Sequence, residues 1–133
     1  METGIGTPRK RHVLIVDDDA ELAWFFKKLL ELHGYDVDVV SDGVQALEHV
    51  LYHEIAAVIC DLQMPKLEGD LLYVTVERSN PSLARRFIFV TGFANDPRFR
   101  TFVSTVDVPV LEKPVLAEKL LEALNGVVGS AKS

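Results

Sequence analysis

Five short apolar runs, each followed by a segment of helical periodicity, constrain this chain more than any other feature of it. The runs occupy 12–16, 35–40, 56–60, 87–90 and 109–111. Behind the first, Asp19-Ala20-Glu21-Leu22 opens a helix that lasts to about His33, where Gly34 ends it. Leu22, Phe25, Phe26, Leu29 and Leu30 recur at helical spacing and form the stripe expected to face the core. The second run alternates polar and apolar residues, the pattern of an edge strand. Ser41-Asp42-Gly43 then starts a helix to about Tyr52, with Val44, Leu47, Val50 and Leu51 inward. A third helix follows Leu67-Glu68-Gly69 and ends near Arg78, where Asn80-Pro81 breaks it. Asp96-Pro97 caps a fourth with proline at its first position, and 115 to about 128 is the last. Strand then helix, five times over, implies an α/β fold whose parallel sheet is covered on both faces.

Size and charge narrow the classes further. With 133 residues, 48% of them hydrophobic, the chain fits one domain with a real core, expected over 12–128. Residues 1–11 read as a flexible basic lead-in carrying Arg9-Lys10-Arg11, and 129–133 as a flexible polar tail. No apolar run approaches the roughly 18 residues of a membrane span, and residues 1–8 lack a signal-peptide core. The expectation is a cytoplasmic protein without membrane association. A net charge of -6 argues against direct nucleic-acid binding. The single cysteine, Cys60, lies inside the third run and reads as a small core residue.

The odd polar residues fall at one end of the sheet. Ala56-Ala57-Val58-Ile59-Cys60 is apolar throughout, ends abruptly in Asp61, and is barred from continuing by Pro65. Asp17-Asp18 follow the first strand, Thr91 ends the fourth and Lys113 lies just beyond the fifth. Ligands of open parallel sheets bind past the carboxyl ends of the strands, so these groups converge on one pocket. Three carboxylates brought together repel one another unless a cation neutralises them. Oxygen donors without nitrogen or sulfur suit Mg²⁺, with Mn²⁺ as a substitute. A lysine and a hydroxyl opposite the metal leave a gap for a tetrahedral dianion, which points to phosphoryl transfer.

At these residues the chain resembles the receiver domains of two-component response regulators, whether stand-alone or part of a hybrid kinase. The resemblance covers about 12–128 and rests on Val16-Asp17-Asp18-Asp19, Asp61-Leu62-Gln63-Met64-Pro65 with Gly69, Val90-Thr91-Gly92 and Glu112-Lys113-Pro114. It implies a flavodoxin-like (βα)5 fold with strand order 2-1-3-4-5. It also implies that Asp61 accepts phosphate from a phosphohistidine on a sensor histidine kinase or phosphotransfer protein. Asp18, Asp61 and the backbone carbonyl of Gln63 would ligate Mg²⁺ directly, and Asp17 through water. Thr91 would donate to a phosphoryl oxygen, and Lys113 would pair with Asp61 before transfer and with the phosphate after it. Gly92 would leave room beside the phosphate, and Lys113-Pro114 is the expected cis peptide. Such a domain is no conventional enzyme, but catalyses its own phosphorylation and dephosphorylation. Its partner-binding face would comprise the fourth helix, fifth strand and fifth helix.

One position departs from that pattern. Receiver domains commonly carry Tyr or Phe three residues before the lysine, an aromatic that swings inward on activation. Here the switch position is Val110, with one stiff torsion and no ring. The expectation is that phosphate reorders the loop from Thr91 to Pro97 and is read through the fourth helix or Phe93. Phe93 and Gln63 occupy positions that tune attack of water on the phosphate, and a bulky Phe93 is expected to hinder it.

Two other functions compete. A haloacid-dehalogenase-like phosphatase would use Asp17 as nucleophile in an Asp17-x-Asp19 pair, but Glu21 replaces the usual Thr or Val and no late acidic pair follows Lys113. A phosphorylation-independent scaffold would have no reason to bear three converging carboxylates. Asp19 reads as a helix N-cap. His49 and His53, spaced i and i+4, could bind a metal but read as surface residues with no further ligand nearby, and Trp24 as partly exposed packing.

Overall fold

The computed structural model describes residues 11–92 and 95–130, so most of the basic lead-in, Phe93 and positions 131–133 lie outside the described residues. The strands are β1 His12–Val16, β2 Asp36–Val40, β3 Ala57–Asp61, β4 Phe87–Thr91 and β5 Val110–Glu112. The helices are α1 Ala20–Leu32, α2 Gly43–Tyr52, α3 Gly69–Ser79, α4 Pro81–Ala84, α5 Pro97–Thr105 and α6 Ala117–Ser130. All strands pair in parallel in the order β2-β1-β3-β4-β5, the doubly wound flavodoxin-like topology.

Period-two alternation divides the core. Leu14, Val16, Val58, Cys60, Phe87 and Phe89 point to one face, where α2, α3, α4 and α5 cover them. Val13, Ile15, Ala57, Ile59, Ile88 and Val90 point to the other, under α1 and α6. Because both faces are covered, β3 is buried at every position and reads as a continuous apolar run rather than an alternating one. Its only ionisable end is Asp61.

The helix faces depart from the sequence reading in three places. Phe25, Val44 and Leu51 are 47%, 47% and 61% exposed, whereas Ala23, Phe26 and Leu30 in α1 and Gly43, Ala46 and Val50 in α2 face the sheet. Neighbouring residues of a helix diverge by about 100°, so Phe25 cannot share the line of Phe26. Small residues bring α2 close to its neighbours: a Cβ at Gly43 would stand 2.1 Å from the Leu67 carbonyl oxygen.

The additional helix, α4, is one turn that begins where the sequence suggested only a break. Asn80 caps it by accepting from the Leu83 N–H at 3.1 Å, and Pro81 takes the first helical position. The helices numbered fourth and fifth from sequence are therefore α5 and α6. Helix α6 runs to Ser130, two residues past its expected end. Cys60 is fully buried, its thiol donates to the Asp61 carbonyl at 3.1 Å, and burial pushes its pKa well above the ordinary thiol value.

Candidate functional site

Chain reversal after β1 and β3 creates the site. These strands are neighbours, but β2 lies on one side of them and β4 on the other, so the loops behind β1 and β3 part and leave a cleft. The Asp17 N–H remains tied to the Val40 carbonyl at 3.1 Å, and Asp17 Oδ1 accepts the Asp19 N–H at 2.9 Å. Asp19 in turn caps α1 through the Leu22 N–H. This relay fixes Asp17 inside and turns Asp18 outward. One carboxylate oxygen from each of Asp17, Asp18 and Asp61 lies within 4.8 Å of the others.

The loop behind β3 is held from below and from its far end. Leu62 and Met64 are buried, which lifts Gln63 and Pro65 onto the rim. The Gln63 N–H donates to Asp61 Oδ1 at 3.1 Å, and the Gly69 N–H closes the loop on the Leu62 carbonyl at 2.9 Å. Gly69 is required sterically, since a Cβ there would stand 2.4 Å from the Asp61 carbonyl oxygen. Lys66 sits at φ 69, an uncommon left-handed position, with its ammonium 3.6 Å from Asp42 Oδ2.

Lys113 reaches in from the other side. Its Nζ is 2.9 Å from Asp61 Oδ2 and 3.5 Å from Asp17 Oδ2, while its backbone N–H donates to the Thr91 carbonyl at 2.9 Å. Burial opposes the ammonium, but the two carboxylates outweigh it and hold Lys113 above the usual lysine range. The Lys113-Pro114 peptide is cis. Thr91 is buried at the end of β4, and a Cβ at Gly92 would meet nothing within 4 Å. Asp18, Asp61, Gln63, Met64, Pro65, Glu68 and Lys113 line a cleft of about 490 Å³. Asp17 is absent from that lining.

Three sequence-named acids and Lys113 thus meet, with Thr91 on the strand beside them. Val110 lies further from the cleft, opposite Phe89 in the β4–β5 register, half-buried against the α2–α5 side of the core. Sequence reasoning missed Glu68, whose signal was an acid at a helix start three residues past Pro65. It also missed Arg98, which joins Glu68 and Asp96 at 3.2 Å each and so links α5 to the cleft rim.

Burial raises the Asp17 carboxyl above its ordinary range, and Asp61 adds to this. The Asp19 N–H and Lys113 only partly counter it. The folded chain therefore holds a proton that the unfolded chain has released, so the stability tied to Asp17 is full at low pH and is lost as pH rises through the folded value. In chelator at neutral pH, Asp17→Asn is expected to gain roughly 1 kcal/mol, a gain that disappears below the ordinary aspartate range. Urea melts at both pH values check this; an unchanged or lower midpoint at neutral pH would refute it.

A doubly wound sheet with an acidic, lysine-opposed cleft where its strand order reverses defines a class of flavodoxin-like modules. The sequence matches the response regulator receiver domain family over residues 13–125. It is 31% identical over 110 residues to sensor kinase CckA of Brucella abortus, covering 81% of this chain and 11% of that protein. It is 37% identical over 127 residues to response regulator MprA of a Mycobacterium species, covering 87% of this chain and 50% of the relative. In structure it resembles the receiver domain of sensor histidine kinase PA1611 from Pseudomonas aeruginosa, with a TM-score of 0.80, 23% identity, and 91% and 99% of the two chains covered. That receiver holds a magnesium ion coordinated in its active-site cleft. The chain belongs to the response regulator receiver domain family of two-component systems. It spans half the length of MprA and about a tenth of CckA.

Proposed function

We propose that Asp61 is the phosphoacceptor of this receiver, taking its phosphoryl group from a phosphohistidine on a sensor kinase or phosphotransfer protein. One observation carries the reading. Among the described acids, Asp61 alone joins a rigid strand end, an open cleft and two donors, Gln63 N–H on Oδ1 and Lys113 on Oδ2. An Asp61 oxygen attacks phosphorus as the phosphorus–nitrogen bond breaks and its electron pair returns to the ring nitrogen; from a donor protonated on its other ring nitrogen this leaves an acyl phosphate on Asp61 and neutral imidazole. Lys113 transfers its pairing from Oδ2 to a phosphoryl oxygen, and Thr91 donates its hydroxyl to another.

Three carboxylates facing one ammonium leave surplus negative charge in the cleft, which suits a hard dication. Asp18, Asp61 and the Gln63 carbonyl would hold Mg²⁺, or Mn²⁺ in its place, with Asp17 acting through water. When bound, the metal supplies charge neutralisation between carboxylate and phosphoryl oxygens. Gln63 and Phe93 set how readily water reaches the phosphate.

The output face is that of α5, β5 and α6. With Val110 in the switch position, α5 itself is the reporter. Phe102 meets Phe89 edge-on at 5.2 Å and Tyr73 at 5.7 Å, and Phe89 is the register partner of Val110. A shift of α5 is thereby felt in β4 and α3 without a ring at position 110.

Incubation with acetyl phosphate and Mg²⁺ followed by peptide mapping tests the reading. Phosphate on Asp61, lost when EDTA replaces Mg²⁺, is expected. Phosphate on Asp17 would establish the phosphatase chemistry instead, and no uptake with or without metal would leave a scaffold.

A further inference from the structure

At the opposite end of β1 from the acidic cleft, residues far apart in sequence bring three donor atoms together. His12 begins β1, Asp38 lies on the edge strand β2, and His49 projects from α2 onto the same face of the sheet. In register, His12 stands opposite Asp36, so Asp38 is its diagonal neighbour on that face. Asp38 Oδ2 is 2.9 Å from His12 Nε2 and 3.0 Å from His49 Nε2, and the two imidazole nitrogens are 3.5 Å apart. The surface reading of His49 was therefore incorrect: its side chain is only 16% exposed, because its partners arrive from β1 and β2 rather than from its own helix.

We propose that His12, Asp38 and His49 form a transition-metal site, best suited to Zn²⁺, separate from the acidic cleft. The separations have the size that tetrahedral coordination needs. A circle through atoms so spaced has a radius of roughly 1.8 Å, so Zn²⁺ at about 2.0–2.1 Å from each would stand roughly 0.9 Å above their plane, near the roughly 0.7 Å of a regular tetrahedron. Two imidazoles and one carboxylate are a borderline donor set, which favours Zn²⁺, Ni²⁺ or Cu²⁺ over Mg²⁺.

The surroundings support the assignment. His53 stacks on His49 at 4.1 Å with the rings 13° from parallel, and its Nδ1–H donates to the His49 carbonyl at 3.0 Å. It buttresses the His49 ring without adding a donor. Asp38 is 46% exposed at its side chain, which leaves a fourth position for water. Asp17 lies five residues along the chain from His12, roughly 16 Å at the strand rise, so the two sites are independent. A bound metal would join β1, β2 and α2 and so stabilise the edge of the sheet.

The test is calorimetric titration of the chain with Zn²⁺ in excess Mg²⁺, with Co²⁺ absorption as a second readout. One saturable Zn²⁺ site is expected, with Co²⁺ giving the visible bands of tetrahedral coordination. His12→Gln, Asp38→Asn and His49→Ala should each weaken binding by at least about 100-fold. His53→Ala, which removes only a support of the His49 ring, should weaken binding by no more than about 10-fold, and Asp61→Asn should bind as wild type does. Asp38→Asn, nearly isosteric and on an exposed edge, keeps the test valid if a histidine variant unfolds. No saturable site in the wild type, unaltered affinity in Asp38→Asn, or loss of the site in Asp61→Asn would each overturn the proposal. In the first two cases the trio is a hydrogen-bonded surface cluster.

Discussion

Asp61→Asn protein given acetyl phosphate and Mg²⁺ is expected to take up phosphate at least about 1000-fold more slowly than wild type, which in practice is none. The amide oxygen is not a nucleophile at neutral pH, so no acyl phosphate can form. The fold should survive. Asparagine keeps one acceptor oxygen, enough for the Gln63 N–H that now meets Oδ1 at 3.1 Å, while Lys113, which loses its Oδ2 partner, still has Asp17 at 3.5 Å. Removing one of three mutually repelling carboxylates also lowers the electrostatic cost of bringing them together. The expected pair of results is a thermal midpoint no lower than wild type and an intact-mass spectrum without a phosphorylated species. Wild-type uptake by this variant would transfer the nucleophile's role to another acid, and Asp17 would be the first to examine.

Gly69→Ala is expected to cost about 3 kcal/mol of stability and most of the phosphorylation rate together. The added methyl would stand 2.4 Å from the Asp61 carbonyl oxygen and 3.0 Å from the Leu62 Cα, both backbone atoms that cannot rotate away. Either α3 moves outward or the end of β3 shifts. In both cases the Gly69 N–H bond to Leu62 is strained, and with it the loop that presents Gln63 and Asp61. Alanine at Gly92 is the control for stability alone, because its Cβ would meet nothing within 4 Å although it borders the space assigned to the phosphate. Chemical denaturation and acetyl phosphate labelling of the two variants decide the matter. Equal midpoints for wild type and Gly69→Ala would mean that the close approach costs nothing.

Much of this was legible along the chain, for identifiable reasons. Strands buried on both faces must be apolar, so acids at their ends stand out, and Asp17, Asp18 and Asp61 could be placed at one edge from sequence alone. Asp19, Asp42, Asn80 and Asp96 signal helix starts by chemistry confined to a few neighbouring residues. Asn80-Pro81 shows the limit of such signals, since the same pair both ends α3 and begins α4. Burial within α1 and α2 was less legible, because Phe25 and Leu51 are as apolar as the residues that do face the sheet. Which of them turns inward depends on the neighbouring elements. The meeting of His12, Asp38 and His49 was invisible for the same reason: only the strand order makes them neighbours.

Cys60 gives the molecule a property unrelated to signalling. Its sulfur is sealed within the central strand, one residue from Asp61, and burial keeps it protonated. A thiolate is the form that reacts with alkylating reagents, so the native chain is inert to them while the sheet stays closed. Reaction at this sulfur thus counts how often the middle of the sheet is breached, and the chain carries its own clock for opening.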